Sequence, residues 1–236
     1  MLKWLLGVFL WPASLGMLLA AAGTMGGLIS NAGAALPFLL GFLGYPLIRL
    51  YVSPSRLYVL GHELSHAAAA WMSGTKVLSF FAGSREGHVR LSGSNAFIAL
   101  APYVLPFYAM AVMLGYRLLL WFWHPSPAGA RCAQEIFLAL AGLALSFHLV
   151  HTAEAVGTVR QPDLDQAGGM VFSLAVIALC NGAVLVLTLK CLFPRLVSVT
   201  RTFRMTWGFA WPVWSGVFSL LKSGTQNLKK LSPWSK

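Results

Sequence analysis

His62, Glu63 and His66 fall within His62-Glu63-Leu64-Ser65-His66, an H-E-x-x-H motif. On a helix the i, i+4 separation puts both imidazoles on one face, one turn apart, where two ring nitrogens can hold one zinc ion. Glu63 lies beside them, a carboxylate placed to take a proton from water that a metal has acidified. The motif arises by chance in many helices, but its setting here is unusual. Leu57 to Met72 is otherwise apolar or small at nearly every position and reads as a membrane-spanning helix. A charge at the centre of a bilayer costs roughly 3 kcal/mol or more, so ionisable groups there need partners or a function. Three of them at this spacing point to a metal site. Gly61 before the motif and Ala67 to Ala70 after it are small enough to let another helix or a substrate backbone approach closely.

The elements that must carry such a site follow from composition. The chain has 236 residues, 58% of them hydrophobic and only 10% charged, whereas ordinary soluble domains carry roughly 25% charged residues. The expected class is all-α, a polytopic membrane helical bundle of about six spans. The spans are expected near 4–22, 33–52, 56–72, 95–122, 132–152 and 170–193. The first carries Lys3 and ends in Ala20-Ala21-Ala22-Gly23, so a cleaved signal peptide is its alternative reading. A membrane domain over 1–194, with its core at 55–193, is expected to precede a tail over 195–236. Multi-pass insertion suits a bacterial-type cell (inner) membrane.

The net charge of +11 suggests nucleic acid only at first glance. Its densest group is Arg195, Arg201, Arg204, Lys222, Lys229, Lys230 and Lys236, interleaved with Trp207, Trp211, Trp214 and Trp234. Rings anchor in the headgroup layer and cations meet anionic lipid there, so membrane lipid is the expected partner and no nucleic acid is. The tail reads as an interfacial segment, with a short seventh span through 206–221 as the alternative. Counting basic residues puts the tail, Arg49 and Arg56 on the cytoplasmic side. The three cysteines form no C-x-x-C pair; Cys180 and Cys191 are separated by roughly 16 Å of helix rise, and core packing is expected for all three, Cys132 included.

Two histidines do not complete a catalytic zinc site, which normally takes three protein ligands and leaves one position open. The remaining acids are Glu86, Glu135, Glu154, Asp163 and Asp165. The last two lie in Gln161-Pro162-Asp163-Leu164-Asp165-Gln166, just before the last strong span, where a helix N-terminus favours negative charge. After the third span, two further spans return the chain to the same side, so both halves of the site face one leaflet. His148 and His151, one turn apart, are expected to be interfacial polar residues at a span end, with orientation of a ligand as the alternative. His88 and His124 read as solvated, in a loop and at a span end. Asn181 reads as an inter-helix hydrogen-bonding residue.

These residues resemble the site-2 protease family of intramembrane zinc metalloproteases, as a compact and divergent member. The likeness rests on the H-E-x-x-H segment followed by Gly74-Thr75-Lys76-Val77, on alternating apolar residues from Val77 to Leu91 around Gly83-Ser84-Arg85-Glu86-Gly87, and on an aspartate heading a later span. It implies a small β-hairpin after the H-E-x-x-H helix that presents substrate as an extended strand. It also implies zinc held by His62, His66 and an aspartate, with Glu63 as catalytic base and a transmembrane protein or peptide as substrate. A site nearer the cytoplasm follows as well, which would place Lys76, Arg85, Arg90 and Arg160 inside. The chain departs from the family pattern at Leu164-Asp165-Gln166, which lacks the usual glycine, and at Ala101-Pro102, where Gly-Pro is common. Asp163 is the preferred third ligand because Pro162 stiffens its approach; Asp165 is the alternative.

The expected function is therefore zinc-dependent endopeptidase cleavage of a membrane protein or peptide within or beside the bilayer. Two other classes use the same residues: a metal transporter or metal-binding membrane protein, and a catalytically silent scaffold of the same fold.

Overall fold

The computed structural model describes residues 1–84, 86–158 and 161–231. Arg85, Arg160, Trp234 and Lys236, which enter the charge and lipid arguments, lie outside the described residues, as do the side chains of Lys229 and Lys230. The chain is mostly helical with one two-stranded sheet: α1 (Leu2–Ile29), α2 (Ala32–Tyr51), α3 (Ser55–Met72), β1 (Val77–Ala82), β2 (Gly87–Leu91), α4 (Ala96–Val104), α5 (Phe107–Phe122), α6 (Pro127–Thr158), α7 (Pro162–Ala167), α8 (Met170–Leu192) and α9 (Val199–Leu231).

Among the described residues four helices, α1, α2, α6 and α8, are long and apolar enough to cross a membrane, or five if the bent pair α4–α5 counts as one crossing. That differs from six expected spans in two places. Helix α3 has only 18 residues, and Arg56, His62, Glu63, Ser65 and His66 lower its hydropathy; the site itself removes the apolar signal. The 95–122 segment is two helices meeting at 70°. Leu105 is extended (φ −86°, ψ 113°), because the ring of Pro106 disfavours helical geometry in the preceding residue.

Helix α6 continues to Thr158, beyond the expected end at 152; its 32 residues measure about 48 Å, more than the roughly 30 Å of a hydrocarbon core. Helix α1 runs straight through Ala20 and Ala21, which are buried. It packs along α8 and α9, and Lys3 Nζ donates to the Ala167 carbonyl at 2.8 Å.

The tail is not apart from the bundle either. Helix α9 runs antiparallel to α1, with Thr206 against Gly16 and Met17, and Trp214 Nε1 donating to the Phe9 carbonyl at 3.0 Å. Of the cysteines, only Cys180 is partly buried; Cys132 and Cys191 are exposed, so core packing does not describe them.

Helix α2 packs along α6, and glycine on both sides permits it. A Cβ on Gly41 would overlap the Ala139 carbonyl, and one on Gly142 would overlap the Phe38 carbonyl. Around this crossing Phe38, Leu39, Leu138, Leu145 and Leu189 form the main apolar core. Many other large apolar side chains, such as Leu40, Leu47, Leu114 and Leu187, face outward. That is the surface a lipid solvent requires.

Candidate metal centre

Helix α3 supplies the first two donors. Its Ala69 and Ala70 pack against Ile98 and Ala101 of α4, so the small residues after the motif serve helix contact. Gly61 serves it too: a Cβ there would lie 2.8 Å from the Tyr108 ring of α5. The two helices run in opposite directions, since His66 meets Ile98 while His62 meets Tyr103. His66 Nδ1 donates to the Ile98 carbonyl at 2.9 Å. A carbonyl can only accept, so in the neutral ring this bond fixes the tautomer and leaves Nε2 with a lone pair for a ligand role.

Helix α7 supplies the third donor. Pro162 begins it, as a proline suits a first helical position. Gly168 and Gly169, both at positive φ, turn the chain into α8. Leu164 and Ala167 bury against Ala99, Leu100 and Tyr103 of α4, which pins the short helix beside α3. Asp163 Oδ2 then lies 3.4 Å from His62 Nε2 and 3.6 Å from His66 Nε2.

One ligand atom from each of His62, His66 and Asp163 falls within 4.8 Å of the others. Tetrahedral zinc with bonds of about 2.0–2.1 Å separates its ligand atoms by about 3.3 Å, so the donor set fits a zinc ion. Among the described residues no other group of His, Cys, Asp and Glu converges in this way. Asp165, two residues on and so on nearly the opposite side of the short helix, is exposed and outside the converging set. Burial pushes the Asp163 carboxyl up, but hydrogen bonds and charge from His62 and His66, when their Nε2 atoms carry protons, outweigh it and hold the group well below the usual carboxylate range. A bound cation would take the place of those protons and keep the carboxylate ionised.

Glu63 is 7% exposed and reaches the same cavity, a space of about 550 Å³ also lined by His62, His66, His88, Val89 and Asp163. The expected hairpin forms one wall. It is antiparallel, with Phe80 opposite Val89 and Ala82 opposite Gly87, and Gly83 N donates to the Glu86 carbonyl at 2.8 Å to close the turn. Gly87, the first residue of β2, sits against the Glu63 side chain, where a Cβ would overlap it. His88 belongs to β2 and lines the cavity, not a loop, although it is exposed. His124 is exposed after α5, as expected of a solvated residue at a span end.

His148 and His151 face neither solvent nor the outer surface of the bundle. Both are 8% exposed and lie between helices. His148 Nε2 donates to Asn181 Oδ1 at 3.0 Å, and Asn181 Nδ2 donates to the Tyr103 carbonyl at 2.7 Å, joining α6, α8 and α4. His151 pairs with the Tyr45 hydroxyl at 2.7 Å and with Glu154 at 3.2 Å; Glu154 also pairs with Arg49 at 3.1 Å. Its ring stacks on Tyr58, whose other neighbour is His62. Polar groups inside a bundle need such partners, because lipid offers none.

Two residues near the donors escape the sequence reading. Tyr103 donates its hydroxyl to Asp163 Oδ2 at 3.0 Å, and its ring meets His62 edge-on at a centroid distance of 5.4 Å. Tyr58 precedes His62 by one turn, and the two rings meet tilted at 54° with centroids 5.6 Å apart. The available signal was that a tyrosine in an apolar helix must place its hydroxyl on some partner. Comparison with family models, curated proteins and solved structures gave no match.

Proposed function

We propose that this chain is a zinc-dependent intramembrane endopeptidase resembling the site-2 proteases, acting on a transmembrane protein or peptide within or beside the bilayer. The observation that carries the reading is the convergence of His62 Nε2, His66 Nε2 and Asp163 Oδ2 beside a buried Glu63 on an open cavity. His62, His66 and Asp163 would hold a zinc ion, which when bound would supply Lewis acidity to a scissile carbonyl and to water, whose pKa such an ion lowers to about 7.

Glu63 accepts the proton released as water attacks the carbonyl carbon and delivers it to the leaving amine. The Ile98 carbonyl keeps His66 oriented, and Asp163 balances charge from the opposite helix. A substrate helix hides its carbonyls in its own hydrogen bonds, so a segment must unwind before attack. Pairing of that segment with the hairpin, whose β2 lines the cavity, offsets part of the cost.

The test compares wild type and Glu63→Gln in zinc content and in cleavage of a membrane-anchored substrate. An endopeptidase keeps zinc in both and loses cleavage in the variant. Zinc without cleavage in either protein would support a transporter or metal-binding role, and neither zinc nor cleavage would leave a silent scaffold.

A further inference from the structure

Asp163 comes from a six-residue helix joined to the bundle by glycines on one side. A carboxylate so placed needs something besides the two histidines to hold its rotamer, and among the described residues a hydroxyl supplies a direct contact. The Tyr103 hydroxyl donates to Oδ2, the same oxygen that faces both histidines.

Tyr103 is itself fixed from several directions. It is 1% exposed, and its ring edge packs on His62 at an interplanar angle of 87°. Its carbonyl accepts from Asn181, which is held in turn by His148 and by a second bond to the Ile177 carbonyl at 2.9 Å. The side chain therefore touches a ligand from α3 and the ligand from α7 while its backbone is tied to α8. A second acceptor, Gln161 Oε1, lies farther away at 3.4 Å.

We propose that Tyr103 is a positioning residue for the metal centre: its hydroxyl occupies one lone-pair direction of Asp163 Oδ2 and so commits that oxygen's other direction to the cation shared with His62 and His66. This rests on the reading of the three donors as a metal site. The hydroxyl makes Asp163 a one-oxygen ligand of fixed orientation, and the ring holds the His62 imidazole against rotation. Outer contacts of this kind typically change metal affinity by about 10–100-fold when removed.

Tyr103→Phe keeps the ring and deletes the hydroxyl. The full-length protein in detergent is titrated with zinc against a competing chelator, and with cobalt for its visible spectrum. Tyr103→Phe is expected to bind zinc at least about tenfold more weakly and to shift the cobalt bands, with the thermal midpoint of the metal-free protein little changed. Gln161→Ala is expected to match wild type. In an Asp163→Ala background Tyr103→Phe is expected to add little, because the oxygen that the hydroxyl orients is already gone. Wild-type zinc affinity and an unchanged cobalt spectrum in Tyr103→Phe would overturn the proposal, as would a full additional loss in the Asp163→Ala background. His62→Ala/His66→Ala separates the two levels: if that variant still binds zinc, the metal-site reading fails. If it loses zinc while Tyr103→Phe does not, only the role of Tyr103 fails.

Discussion

Gly87 lies so close to Glu63 that a Cβ at position 87 would come within 2.7 Å of the Glu63 Cγ and 2.9 Å of its Oε1. Real Cβ contacts are not that short, so one of the two would have to move. Gly87→Ala should therefore displace the carboxylate or tilt β2 while leaving the three metal donors in place. Misplacement by about 1 Å can cost about a hundredfold in rate. The expected outcome is a drop of tenfold or more in kcat with unchanged zinc content, read by parallel metal analysis and cleavage kinetics. A variant with wild-type kcat would show that Gly87 does not set the Glu63 position.

Asp163 and Asp165 give a sharp contrast. Asp163 faces both histidines, and Asp165 is exposed on the same short helix. Asp163→Asn should weaken zinc binding and abolish cleavage, while Asp165→Asn should change both by less than about twofold, as surface substitutions usually do. Reversed results would move the third ligand to Asp165.

The motif, the hairpin and the region of the aspartate are legible in the sequence because each has a local signature. His62 and His66 are tied by helix spacing, Val77 to Leu91 by alternation, and Asp163 by the scarcity of acids. Tyr103, Gly87 and the Ile98 carbonyl have none: their roles arise from contacts between segments far apart in the chain. The expectation of a span at 56–72 stumbles on the polar residues of the motif itself, and the continuous apolar pattern of 95–122 hides the break that Pro106 imposes. His148 and His151 look interfacial by position, since nothing local reveals Asn181 or Tyr45 as their partners.

Metal should also stabilise the fold, because its donors come from α3 and α7, which no covalent tie holds together locally. Removing zinc with a chelator should lower the thermal midpoint, and adding it back should restore it. Ligand present at about one hundred times its Kd contributes about 2.7 kcal/mol. An unchanged midpoint across chelation and zinc return would argue against a bound ion at this place.

The α2–α6 crossing makes a prediction independent of the site. Gly41→Leu puts a side chain where the Ala139 carbonyl already sits. Overpacking of this kind typically costs about 1–3 kcal/mol or more, so the thermal midpoint in detergent should fall clearly. Gly44→Leu on the same helix, where a Cβ meets nothing within 4 Å, should leave it nearly unchanged.

The most direct measurement is the zinc-to-protein ratio of the purified chain, compared between wild type and His62→Ala/His66→Ala. Wild type is expected to carry about one zinc per chain, and the double variant, with two of its three donors deleted, close to none. Equal, stoichiometric zinc in both proteins would contradict the placement of a metal centre at His62, His66 and Asp163.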